Sequence, residues 1–246
     1  MHVKPKLSPL VALLIYAGFL IAMMTVIGPV VRALAEPHLA LQDVRSKTAF
    51  RGGLAILFNW IDLAVAILLL RMRGQTFSDA GWGGAGRIWG WLLAGAVLAF
   101  LVWSAFFGPV HFLDKATWLS DRSFFRIAMA LGIGITVGIC EEGVFRGFLM
   151  TEMRDAGAPV YVQILASGLI FGLGHVGWGG FNSHFDFQAA FSAFWGTAIF
   201  GALFAVVFVL ARRRLMPGMV AHGLFGAIFE PWMLMMGIAG TLHIGH

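Results

Sequence analysis

The sequence predicts an all-α fold, a polytopic transmembrane helix bundle of about seven spans, and three observations carry that prediction. Of the 246 residues, 59% are apolar, 14% aromatic and 12% charged, whereas soluble domains carry about 25% charged residues. Seven apolar runs follow one another along the chain, each long enough to cross a hydrocarbon core of about 30 Å as a helix. Strand-like alternation is absent, which argues against a barrel and leaves the helix, the other structure that satisfies its own backbone in lipid. A large soluble enzyme is excluded. One integral-membrane domain over residues 1–246 is expected, with accessory helices in 1–123 and a core in 124–238 formed by the last four spans.

The first run, residues 10–31, follows Lys4 and Lys6 and precedes Ala33-Leu34-Ala35, an imitation of a signal peptide and its cleavage site. Its apolar stretch is too long for such a segment, so an uncleaved helix is expected. The second run, 52–70, carries Asn59 and Asp62, whose three-residue spacing suits interhelical hydrogen bonds. The third spans 88–107 after a Gly-rich stretch, Gly81 to Gly86, read as a flexible loop. The others cover 124–150, 159–178, 188–211 and 217–238. Trp82, Trp89, Trp118 and Trp178 flank spans, as an interfacial aromatic belt predicts.

Net charge is +5, which in a membrane protein reports loop topology and contact with anionic lipid rather than a nucleic-acid site. The cluster Arg212-Arg213-Arg214 at a helix end, against a Lys- and Arg-free stretch at 179–187 and tail, places the N-terminus in the cytoplasm and the C-terminus outside. An inner (plasma) membrane location is expected. The single cysteine, Cys140, excludes a disulfide within the chain and a cysteine-built metal site.

Ionisable side chains within spans cost about 2.5–3.5 kcal/mol each on insertion scales and need a partner or a purpose. The fourth run reads Gly138-Ile139-Cys140-Glu141-Glu142-Gly143-Val144-Phe145-Arg146-Gly147. Glu142 and Arg146 stand four apart with the acid first, the favourable order for a helical ion pair. Glu141 projects about 100° away from Glu142 and faces a different neighbour. Arg146 thus neutralises Glu142 and leaves Glu141 available for proton transfer. The fifth run ends in Phe171-Gly172-Leu173-Gly174-His175, and the seventh supplies His222. Read alone, each histidine is an ordinary interhelical hydrogen-bonding residue. Glu, His and His from three separate helices point to one interior site. Glu230, eight residues beyond His222, is read as an interfacial helix-end carboxylate, and Asn182, His184 and Asp186 as solvated loop residues. His38, His111, His243 and His246 carry no signal.

Taken together, Glu141-Glu142-x-x-x-Arg146, Phe171-x-x-x-His175 and a later-helix His222 resemble the CPBP family, the CAAX-prenyl-protease and bacteriocin-processing intramembrane proteases. The resemblance covers about residues 124–230. It implies a membrane-embedded endopeptidase of glutamic type: Glu141 as general base with His175 as its partner, Glu142 and Arg146 holding the motif in place, and His222 stabilising the oxyanion. One departure stands out, since the family's third motif usually carries a polar residue where this chain has Gly226. Asn182, Asn59, a backbone N–H or water are substitutes for the missing donor.

A membrane-anchored peptide or protein is the expected substrate, with lipid as the surrounding partner. The alternative is a non-catalytic membrane protein that binds a partner subunit or scaffolds an assembly through the same cavity, with a proton-relay transporter as a third reading. Glu141, His175 and His222 are also the ligand types of some catalytic zinc sites. No His-Glu-x-x-His motif is present, and the resemblance favours a mechanism without cofactor or metal.

Overall fold

A computed structural model describes residues 7–23, 26, 28–35, 44–107, 123–176 and 187–239. These form helices joined by turns and loops, with no strand among the described residues. In chain order they are α1 (Pro9–Ala22), α2 (Gly28–Ala35), α3 (Val44–Met72), α4 (Ile88–Phe107), α5 (Phe124–Asp155), α6 (Val160–Gly174), α7 (Phe187–Leu210) and α8 (Met216–Ala239). Among the described residues each apolar run of the sequence is helical, and the first contains both α1 and α2. Pro29 then sits in the first turn of α2, where a missing N–H is harmless.

Within α3, α5 and α7 lie segments long and apolar enough to cross a membrane, Arg45–Met72, Phe124–Asp155 and Ala190–Leu210. Shorter apolar helices occupy Pro9–Ala22, Ile88–Trp103 and Val160–Gly174. Large apolar side chains cover the outside of the bundle, among them Leu57, Leu68, Leu92, Phe100, Leu165 and Ile199, as expected where the outer solvent is lipid. Trp89 and Trp103 are exposed near the two ends of α4. Trp82 instead turns inward, its ring within 2.8 Å of the place a Cβ would take at Gly143. Trp118, Trp178, His38, His111, His243, His246, Asn182, His184 and Asp186 lie outside the described residues.

Two helix pairings position the site. The first half of α5 packs along α8. It does so at van der Waals limits: a Cβ at Gly138 would stand 2.6 Å from the Met219 carbonyl oxygen, and one at Gly134 would stand 2.7 Å from that of Gly223. The second pairing joins α6 to α7, where a Cβ at Gly168 or Gly172 would meet the backbone carbonyls of Ala198 and Phe194 at 2.7 and 2.6 Å. Small residues at such spacings let backbones approach closely, the main attractive term between helices when lipid competes for apolar contact.

The end of the bundle where α3, α5 and α7 terminate is closed by polar contacts. Arg73 donates to Glu152 Oε2 at 2.9 Å and to Asp155 Oδ2 at 3.1 Å, and its remaining terminal nitrogen reaches the Leu7 carbonyl. The segment Gly81 to Gly86 is not a free loop. The Leu215 amide donates to the Gly81 carbonyl at 3.1 Å, and Gly81, at φ 87°, packs so closely on the Arg213 carbonyl that a Cβ would lie 2.6 Å from it. Only glycine accommodates both demands there.

Candidate active site

The site begins with an irregularity in α5. Two π-helical segments, Val137–Glu141 and Gly143–Leu149, interrupt its α-helical course. Wider turns of this kind concentrate at functional sites because they redirect side chains without breaking the helix. Glu141, Glu142 and Arg146 all lie in or between them. Gly138 and Gly218 allow the fit: the first lets the α8 backbone in, and a Cβ at Gly218 would stand 2.8 Å from Glu142 Oε2.

Arg146 is fully buried and Glu142 is 1% exposed, so neither charge has water to fall back on. Arg146 Nη1 donates to Glu142 Oε1 at 2.9 Å, and Nη2 donates to the Gly201 carbonyl of α7 at 2.8 Å. Three rings surround the guanidinium, with the centroids of Phe145, Phe171 and Phe204 at 5.9, 5.0 and 5.6 Å. Such contacts strengthen when desolvated. A buried charge pair is tolerable when further hydrogen bonds complete it, and the third partner here is histidine. His222 Nδ1 lies 3.0 Å from the same Glu142 Oε1.

That contact orients the His222 ring. With Arg146 and His222 converging on Glu142 Oε1 as acceptor, His222 Nδ1 is the donor. Nε2 is therefore the nitrogen turned to the remaining acids. It lies 3.7 Å from Glu141 Oε2 and 3.9 Å from Glu230 Oε1. The ring stacks on Phe204 at 5.0 Å and meets Phe171 edge-on at 5.8 Å.

Glu141 and His175 open onto one cavity of about 280 Å³, lined also by Arg51, Asn59, Asp62, Thr136, Phe145 and Glu230. Glu141 Oε2 is buried there without a hydrogen-bond partner, and so is Asp62 Oδ1. His175, just past the end of α6, donates from Nδ1 to the Phe171 carbonyl at 2.8 Å, which leaves Nε2 as an acceptor. Among the described residues no direct hydrogen bond joins Glu141 to His175; they share the cavity instead.

Two placements differ from the sequence reading. Glu230 is not an interfacial helix-end carboxylate: it lies mid-α8, lines the cavity and faces His222. Among the described residues, Asn59 and Asp62 of α3 do not bond across to neighbouring helices. Asn59 donates to Ala55 of its own helix at 3.0 Å, and both residues line the cavity. The half of the chain assigned to accessory helices thus contributes a polar wall. Phe204, which the sequence offers as one more apolar residue, proves to touch both Arg146 and His222, and nothing local signals it. Among the described residues no group of three His, Cys, Asp or Glu side chains is arranged to hold a metal ion.

Comparison with known families fits this geometry. Residues 122–228 match the family model of the type II CAAX prenyl endopeptidase, Rce1-like. The resemblance to the CPBP intramembrane proteases holds over this segment, and the chain is in general terms similar to intramembrane proteases of CAAX type. No curated protein and no solved structure matches the chain. The matched segment contains Glu141, Glu142, Arg146, His175 and His222. It leaves out Arg51, Asn59, Asp62 and Glu230, so part of the cavity wall comes from outside it.

Proposed function

We propose that this protein is a membrane-embedded endopeptidase of glutamic type that hydrolyses a peptide bond in a membrane-associated peptide or protein. One observation carries the reading: of two adjacent glutamates, Glu142 is held by Arg146 and His222 through Oε1, while among the described residues the Glu141 carboxylate has an oxygen without a hydrogen-bond partner in a cavity shared with His175. In this mechanism Glu141 takes a proton from water as the water oxygen attacks the scissile carbonyl carbon. His175 Nε2 accepts the water's other proton in a hydrogen bond and aims the nucleophile. Protonated at both ring nitrogens, His222 donates Nδ1–H to Glu142 and Nε2–H to the oxyanion. The C–N bond then breaks, and the proton held by Glu141 passes to the leaving nitrogen.

The reading extends to placement and cofactors. The chain is assigned to the cell's inner membrane with its N-terminus in the cytoplasm, supported by Arg71, Arg73, Arg154 and Arg212 to Arg214 at helix ends that gather at one end of the bundle. The mechanism uses no metal and no cofactor. Gly226, where the resemblance would place a polar residue, has a packing cause: a Cβ there would collide with Val137 Cγ2.

The test compares membrane proteomes of cells carrying wild-type protein and Glu141→Ala or His175→Ala variants. A membrane-associated terminus that is trimmed only with the wild type supports the proposal. Full trimming by both inserted, folded variants overturns it.

A further inference from the structure

Gly226 and Glu230 occupy successive turns of the same face of α8, four and eight residues after His222. Position 226 has no room for a side chain, because Val137 Cγ2 would meet even a Cβ at 2.4 Å. The nearest polar atom to that vacant Cβ position is Glu230 Oε1, at 3.3 Å. The wall beside His222 is therefore furnished by the Glu230 carboxyl reaching back one turn. The same oxygen lies 3.9 Å from His222 Nε2, nearly matching the 3.7 Å from Glu141 Oε2. His222 is thus bracketed, with Glu142 on Nδ1 and two cavity carboxyls on Nε2. Its other neighbours are the Phe204 and Phe171 rings, with Arg146 behind Glu142.

From this juxtaposition we infer that Glu230 is a positioning residue of the active site, holding His222 Nε2–H toward the reacting carbonyl and taking the place of the polar side chain that position 226 cannot carry. Glu141 cannot serve this purpose throughout turnover, since it must leave His222 to take the water's proton. Glu230 has no such second duty and keeps the imidazole aligned while the oxyanion forms. The inference rests on the proposed hydrolase reading and adds a residue outside the segment that matches the family model.

The experiment uses full-length protein in lipid nanodiscs, labelled with 15N in its histidine rings, with a His222→Gln sample to assign the resonances. The variant is Glu230→Gln, which keeps shape and puts an amide in place of the carboxyl. The Nε2 resonance of His222 is expected to shift while Nδ1, bonded to Glu142, stays in place. With a farnesylated C-terminal peptide of CAAX type as probe, kcat is expected to fall about tenfold with KM within twofold, the pattern of a contact that matters only as the oxyanion forms. Unchanged His222 resonances in Glu230→Gln, or a wild-type kcat, overturn the inference. If wild-type protein leaves the peptide intact while the Nε2 resonance still responds, the proposed activity on that probe fails and the Glu230–His222 coupling stands.

Discussion

His222 Nδ1 and Arg146 Nη1 meet on a single oxygen, Glu142 Oε1, at 3.0 and 2.9 Å. This one atom ties α8 to α5, and Arg146 extends the tie to α7 through Gly201. The buried charges are therefore a structural knot as well as the rear wall of the cavity.

Removing one member of that knot leaves an uncompensated charge in a site without water. Arg146→Met and Glu142→Leu are each expected to cost about 3–5 kcal/mol. The double variant should lose less than the sum of the two, because neither charge is left without its counterpart. Thermal unfolding in detergent or nanodiscs measures this; additive losses would contradict it.

Asp62 presents a buried, unpartnered oxygen to the cavity. Such an acceptor suits an N–H of the substrate backbone. Asp62→Leu is expected to raise KM roughly tenfold or more, by analogy with other hydrogen bonds to charged groups, and to leave kcat nearly unchanged. A loss confined to kcat would assign Asp62 to the chemistry instead.

Gly226 is held small by Val137. Gly226→Asn, which installs a polar side chain at this position, is expected to destabilise the bundle by about 1–3 kcal/mol through overpacking. Trimming Val137 to Ala in the same chain should recover most of that loss. Absence of recovery would show that the strain arises elsewhere.

Outside the membrane, Asp79 Oδ2 accepts from the Thr76 hydroxyl at 2.6 Å and from its backbone N–H at 2.8 Å. These bonds hold the Asp79 carboxyl below the usual carboxylate range. A depressed folded value contributes stability that is present above the unfolded value of about 3.9 and fades as pH falls through the folded one. Protection of the Thr76 amide from hydrogen exchange, corrected for intrinsic rate, should therefore decline on acidification below about pH 4. Asp79→Asn should flatten that dependence, and a profile identical to wild type would refute the assignment.

Cleavage of an identified substrate is expected to persist after exhaustive chelation, since the proposed chemistry rests on Glu141 and two imidazoles. Restoration of a chelated, inactive sample by zinc would redirect the mechanism to the metal.

The helices were legible in the sequence because a chain dissolved in lipid must declare its spans locally, by length and by freedom from charge. The Glu142–Arg146 pair was legible for the same reason, as a spacing on one helix. What joins different helices was not. Nothing near Phe204 reports that it will lie on His222, and nothing near Gly201 reports that its carbonyl will receive a guanidinium. Glu230 and Asp62 were misread because an isolated acid in an apolar run has no spacing partner; only packing reveals which way it faces. Gly226 looked like a missing donor because its reason for being glycine lies in Val137, almost ninety positions away.

The charged helix α5 is made before the groups that shelter it. When Arg146 leaves the ribosome, the carbonyl of Gly201 and the ring of His222 do not yet exist, and the aromatic enclosure lacks Phe204. For the time it takes to synthesise three more spans, this segment must be lodged somewhere other than bare hydrocarbon, at the insertion machinery or against an earlier helix. Biogenesis is thus bound to a delay written into the order of the chain, and a truncation ending after α6 should be retained by the translocation apparatus rather than released into the bilayer.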